Sequence, residues 1–213
     1  MIPVYCISGL GADERVFSKL ELSGCHLHFI KWILPNKNEK IENYALRLSE
    51  QVNHPQPVLI GVSFGGMIAV EIAKIIPCSK IFLISSIKTA DELPGWIKLC
   101  AALKLNKLIP FKRKGDLFNP IEFYFLGPET PNEKDLMKEF RNNTDEKYVY
   151  WAIDKILHWK NKTIPSNLIH LLGDRDKFFS TKKSRPDYII RTGTHFMVYN
   201  RAAEVSAIIQ KHL

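Results

Sequence analysis

Apolar residues fall along this chain in two alternating patterns. Short, nearly unbroken runs such as PVLIGV (57–62) and KIFLIS (80–85) give way to stretches where apolar positions return every three or four residues, as in IENYALRLSEQV (41–52). The first pattern suits strands covered on both faces of a parallel sheet, and the second suits helices laying one side on it. Strands are expected near 2–8 (IPVYCIS), 27–33 (LHFIKWI), 57–62, 80–85, 167–172 (NLIHLL) and 187–191 (DYIIR). Helices should lie between them, among them the almost wholly apolar GGMIAVEIAKII (65–76) and the closing RAAEVSAIIQKHL (201–213). Such alternation predicts βα units: an α/β fold with a mostly parallel central sheet of about six strands flanked by helices.

The alternation breaks once, between Ile87 and Ile164. Pro94, Pro110, Pro120, Pro128 and Pro131 punctuate that interval, its helical segments include ELPGWIKLCAALKLNKL (92–108) and NEKDLMKEFRNNTDEKYVYWAIDKILHWK (132–160), and it carries three of the four tryptophans. Connections in compact domains commonly run to about 2–6 residues, so this interval is an insertion rather than a crossover. One reading is extra helical packing on the sheet edge. The other, preferred here, is a helical cap at about 88–163 over the carboxyl ends of the strands, where open α/β sheets bind ligands.

A length of 213 residues supports one core, hence a single domain over 1–213, and 46% hydrophobic with 24% charged residues is an ordinary globular composition. No leader pattern opens the sequence and no stretch approaches the roughly 18 apolar residues of a membrane span, so the expected location is cytoplasmic. Cys6, Cys25, Cys78 and Cys100 are widely spaced with no CxxC pair, which points to reduced, mostly buried thiols and to no zinc site. The formal charge of +8 would favour an anionic partner. Its lysines are scattered, however, with small clusters only at FKRKG (111–115) and TKKSR (181–185), and no aromatic-interleaved basic stripe indicates nucleic acid. A solvated basic face is expected instead.

Candidate chemistry centres on GVSFG (61–65), a G-x-S-x-G pattern that follows the strand VLI and opens onto a helix. A serine at so sharp a turn needs small neighbours, supplied by Gly61 and Gly65, and the helix N-terminus offers backbone N–H groups to developing negative charge. A hydroxyl needs a base, and the base needs an acid to hold its tautomer. Of seven histidines, His195 in RTGTHFMV stands in a glycine-containing loop after the last strand; the others sit in strands, helices or loops with ordinary structural explanations. HLLGDRDKFF, after the fifth strand, offers Asp174 and Asp176 as acids. The loop SGLG (8–11) follows the first strand and could expose the Leu10 N–H beside that of Phe64 as an oxyanion hole.

Taken together, SGLG, GVSFGG, GDRD and GTHF over nearly the full length resemble a small member of the α/β-hydrolase family, in that family's order Ser, Asp, His. The resemblance implies Ser63 as nucleophile, His195 as base and Asp176 as acid, because the family's aspartate usually stands three residues after the glycine. Departures are Ser8 where the oxyanion loop usually has His, Thr194 where a glycine commonly precedes the histidine, no proline just after the acid loop, and no pair of antiparallel strands ahead of the first. The expected activity is hydrolysis of a small carboxylic ester or thioester through an acyl-enzyme, with no cofactor or metal and a small-molecule substrate. Trp96, Phe123, Tyr124, Phe125, Trp151 and Trp159 suggest an apolar pocket under the cap, or the cap's own core. Alternatives on the same fold are a non-catalytic binding protein and a lyase or carbon–carbon hydrolase using the same triad.

Overall fold

In the computed structural model the described residues are 1–102 and 119–213. The basic cluster at 111–115, Pro110, the side chain of Cys100 and residues 103–108 of an expected helix lie outside them. The elements run β1 (Ile2–Ile7), β2 (Cys25–Phe29), α1 (Ile41–Ser49), β3 (Val58–Val62), α2 (Phe64–Ala73), β4 (Lys80–Ile84), α3 (Gly95–Ala102), α4 (Asn119–Leu126), α5 (Pro131–Asn143), α6 (Glu146–Leu157), β5 (Leu168–Gly173), α7 (Thr181–Ser184), β6 (Tyr188–Ile190), α8 (Met197–Asn200) and α9 (Ala202–His212). Among the described residues the strands form one six-stranded sheet, ordered β2-β1-β3-β4-β5-β6. Every adjacent pair is parallel.

Strand side chains alternate between the two faces, so each strand feeds two cores. Tyr5, Ile7, Leu59, Ile81, Leu83 and Leu172 pack with Tyr44 and Leu48 of α1, Met67 and Ile68 of α2, and Tyr148 of α6. Val4, Cys6, Ile60, Phe82, Leu171 and Ile190 pack on the opposite side with Val205 and Ile209 of α9 and with Phe17. Because both faces are covered, β3 is buried along its whole length, which accounts for its unbroken apolar run.

β2 lies earlier than its expected 27–33. After Phe29 the chain leaves the sheet: the Ile30 N–H still donates to the Cys6 carbonyl (3.0 Å), but Lys31 is paired through its backbone by the Gln51 side chain, at 2.8 and 3.0 Å. That side chain replaces a neighbouring strand and frees Trp32 to turn inward.

Between β4 and β5 the stretch expected to be helical over 132–160 breaks at Thr144. Asp145 caps α6 by accepting from the N–H groups of Lys147 and Tyr148, and the Thr144 hydroxyl reaches the Gly11 carbonyl (2.8 Å). α6 and its C-terminal extension dock on the core through indole N–H groups. Trp151 donates to the Glu39 carbonyl (2.9 Å), and Trp159 to the buried Glu71 carboxylate of α2 (2.8 Å). Among the described residues, no helix is long and apolar enough to cross a membrane.

Candidate active site

A single residue, Ser63, separates β3 from α2, and its backbone has φ 53° and ψ −120°. A non-glycine residue in that region costs of order 1–3 kcal/mol and persists only where its surroundings enforce it. Those surroundings are specific. A Cβ on Gly61 would lie 2.5 Å from the Gly66 Cα, and one on Gly65 would lie 2.2 Å from the Ser8 carbonyl oxygen, so both positions require glycine for the crossing of strand and helix. The Ser63 N–H donates to the Ile84 carbonyl (3.0 Å), and its own carbonyl accepts from the Gly66 N–H (3.0 Å) and the Ser86 hydroxyl (2.6 Å). Sequence reading did not single out Ser86; the second glycine of FGG, where a Cβ would lie 2.3 Å from the Ser86 Oγ, is the trace it leaves.

Behind Ser86 lies a buried polar series. The His170 Nε2 is 3.0 Å from the Ser86 carbonyl, which can only accept, so Nε2 carries the proton; Nδ1 then accepts from the Lys88 ammonium at 3.0 Å. Lys88 pairs in turn with Glu92 (3.1 Å) and donates to the Ser184 carbonyl. Burial, reinforced by the Lys88 charge, lowers the His170 pKa from 6.5 to about 3, and the imidazole stands neutral in the core.

On the accessible side of the elbow, the His195 Nε2 is 2.9 Å from the Ser63 Oγ and its Nδ1 is 2.8 Å from the Asp176 Oδ2. The Asp176 side chain is wholly buried, and its other oxygen accepts from the N–H groups of Phe178 (2.8 Å) and Phe179 (3.0 Å). A carboxylate that accepts from two amides on one oxygen and faces an imidazole on the other is fixed in orientation. Asp174, the other candidate acid, is exposed. Its loop is bound to the histidine loop through the Arg175 N–H and the Gly193 carbonyl (2.9 Å), at an approach so close that a Cβ on Gly173 would lie 2.0 Å from that oxygen.

Thr194 is carried by the segment after β4. Its hydroxyl donates to the Gly127 carbonyl (2.9 Å), and the Phe196 N–H donates to the Leu126 carbonyl (3.1 Å). Gly127 has φ 71°, and a Cβ there would lie 2.5 Å from the Thr194 Cβ. The missing glycine before the histidine is thus matched by a glycine across from it.

The loop after β1 makes a turn in which the Ala12 N–H donates to the Gly9 carbonyl (3.1 Å), with Gly11 at φ 80° in its third position, the place where a type II turn asks for glycine. That turn leaves the Leu10 N–H out of its own hydrogen bonding. A Cβ on Gly9 would lie 3.4 Å from the Ser63 Cβ, so the turn is seated against the serine. Phe64 opens α2, where the first N–H groups have no intrahelical acceptor and the helix dipole adds positive potential. Among the described residues, neither the Leu10 N–H nor the Phe64 N–H has a hydrogen-bond acceptor.

The six aromatic residues named in the sequence divide. Trp151 and Trp159 serve as anchors on the core, Phe123 packs against the core on the α9 side, and Tyr124 is exposed. Trp96 and Phe125 lie against Phe178, whose ring centroid is 4.7 Å from that of His195. Two cavities flank the site. One, of about 300 Å³, is walled by Ser8, Gly11, Trp32, Phe140 and Tyr148; the other, of about 440 Å³, is walled by Trp96, Asp176, Phe178 and Lys183. Neither is walled by Ser63 or His195.

No family model matches the sequence, and neither does any curated protein. Among solved structures, the chain is similar to a thermophilic esterase from Thermogutta terrifontis with malate bound, at 13% identity over 99% of this chain and 89% of the other, with a TM-score of 0.76. It is similar also to Est816, an N-acyl homoserine lactone degrading enzyme (14% identity, 100% and 93% coverage, TM-score 0.75), and to a bromoperoxidase from Bacillus anthracis (14%, 99% and 91%, 0.71). At these identities the likeness shows a shared fold, the α/β-hydrolase fold, and carries no activity with it.

Proposed function

We propose that this chain, an α/β-hydrolase by fold, is a serine hydrolase acting on a small carboxylic ester or thioester. The observation that carries the reading is the unbroken series Asp176, His195, Ser63, joined at 2.8 and 2.9 Å beside two unengaged amides. In this reading His195 Nε2 takes the proton of Ser63 Oγ as that oxygen bonds to the substrate carbonyl carbon. The carbonyl oxygen becomes an oxyanion held by the N–H groups of Leu10 and Phe64. The tetrahedral species collapses, the bond to the leaving alcohol or thiol breaks, and His195 returns the proton to it. Water then adds to the acyl-enzyme with His195 again as base, releasing the acid and restoring Ser63. Asp176 keeps Nδ1 protonated and stabilises the imidazolium. No step calls for a metal or cofactor.

The helices between β4 and β5 act in this reading as the cap that selects substrate. The aromatic row Trp96, Phe125 and Phe178, ending against His195, supports an apolar acyl group. The esterase and lactonase similarities favour acyl transfer within the possibilities of the fold. The test is intact-mass analysis after incubation with a fluorophosphonate: one adduct on the wild type, located at Ser63, and none on Ser63→Ala, with ester turnover lost in parallel. Full labelling or turnover in that variant would overturn the assignment.

A further inference from the structure

The oxyanion loop of this chain has a serine where the resembling family has histidine, and the structure surrounds that serine with a specific pair of partners. The Ser8 hydroxyl donates to the Ala12 carbonyl (2.7 Å), closing from outside the turn that the Ala12 N–H and Gly9 carbonyl close from within. Its oxygen in turn accepts the indole N–H of Trp32 (2.8 Å). Both hydrogen bonds run in one direction, from indole to hydroxyl to carbonyl, so the indole fixes which way the Ser8 proton points. Ser8 itself is buried.

The same indole reaches the other side of the site. Its ring stacks on Phe64 at 5.6 Å between centroids with planes 19° apart, and Tyr148 (5.2 Å) and Tyr44 (6.4 Å) pack around it. Phe64 supplies one unengaged amide beside Ser63; Leu10, in the turn that Ser8 closes, supplies the other. Trp32 therefore holds the Leu10 turn by a hydrogen bond and the Phe64 side chain by its face.

We infer that Trp32, acting through Ser8, is a positioning residue that sets the spacing of the Leu10 and Phe64 amides around the oxyanion. The inference rests on the serine hydrolase reading above and deepens it. A donor displaced by a fraction of an ångström stabilises the tetrahedral oxyanion less while leaving ground-state binding nearly untouched, so the loss falls on kcat. Removal of a donor outright lowers kcat about 10²–10³-fold, and a displaced one is expected to lower it by about 10- to 100-fold.

The experiment compares wild type, Trp32→Phe, Ser8→Ala and the double variant on p-nitrophenyl acetate, together with the Ki of a trifluoromethyl ketone, which adds to a serine as an anionic tetrahedral adduct. Expected are a fall in kcat of about 10- to 100-fold with KM within about threefold, a Ki that rises by the same factor as kcat/KM falls, and a double variant little worse than either single one, since both belong to one relay. Replacing Trp32 by benzothienylalanine, which keeps ring shape and stacking and lacks only the N–H, must reproduce the Phe result; it decides the matter should Trp32→Phe not fold. Unchanged kcat in folded variants, or a lowered kcat with unchanged Ki, overturns the positioning role. Turnover retained by Ser63→Ala, or a wild type indifferent to the ketone, would instead overturn the underlying reading of the site.

Discussion

His170 offers the sharpest quantitative test because its environment is closed on every side. The ring is fully buried between the Lys88 ammonium on Nδ1 and the Ser86 carbonyl on Nε2, with Glu92 beyond Lys88, Asp187 accepting from the His170 backbone N–H, and Asp176 a more distant charge. Burial and Lys88 together hold its pKa at about 3 against an ordinary 6.5. A folded-state pKa below the unfolded value means that the unfolded chain takes up the proton first on acidification. The neutral ring's contribution to stability is therefore intact above pH ~6.5 and is lost as pH falls toward ~3. Integrating one proton over that window gives a loss of about 2 kcal/mol between pH 7 and pH 5, and about 4 kcal/mol by pH 3. The comparison is urea unfolding at pH 7 and pH 5 for wild type and His170→Gln, whose amide can donate to Ser86 and accept from Lys88 without titrating. All other titrating groups are common to both proteins. Wild type should lose about 2 kcal/mol more than the variant between the two pH values, which at a typical m-value is a midpoint shift near ~1 M urea. Because His170 holds Ser86 and Ser86 holds the strained Ser63 carbonyl, activity per folded molecule should also survive in the Gln variant at pH 7. An equal pH dependence of stability in the two proteins would refute the buried neutral ring.

Asp176→Asn should lower kcat by about 10³–10⁴-fold by offering Nδ1 the wrong partner, whereas the exposed Asp174→Asn should stay within about threefold; steady-state kinetics on one ester decides between them, and the reverse order would move the acid role. Trp96→Ala and Phe125→Ala should lower kcat/KM for an octanoyl ester by about tenfold or more relative to an acetyl ester, since each methylene in an apolar site is worth about 1–3 kcal/mol. Fluorophosphonate labelling of Ser63 should persist in both, and equal loss of all ester activities together with labelling would make the aromatic row part of the catalytic apparatus.

Much of this molecule was written locally. A strand covered on both faces must be apolar at every position, so VLIGV and KIFLI announce the sheet, and an elbow that brings helix and strand backbones within contact must have small residues at 61 and 65. The order serine, acid, histidine at three strand ends is likewise readable, because loops after parallel strands share one edge of the sheet. What the linear pattern could not contain is which distant groups meet. Spacing left Asp174 and Asp176 both open, and only the resemblance favoured one; the folded chain turns the Asp176 carboxylate inward to the amides of Phe178 and Phe179 and leaves Asp174 in solvent. The aromatic residues of the insertion formed one set in the sequence, and the structure separates the anchors Trp151 and Trp159 from Trp96 and Phe125 in the row beside His195, because a ring's role is decided by what lies opposite it. Trp32 looked like the end of a strand until Gln51 took over the pairing of Lys31, and Lys88, His170 and Ser86 became a network only when β4 and β5 paired side by side. Periodicity and turn chemistry report on neighbours along the chain, whereas the contacts around Ser63 join segments up to 132 residues apart, which strand pairing and the loop contacts it permits bring together.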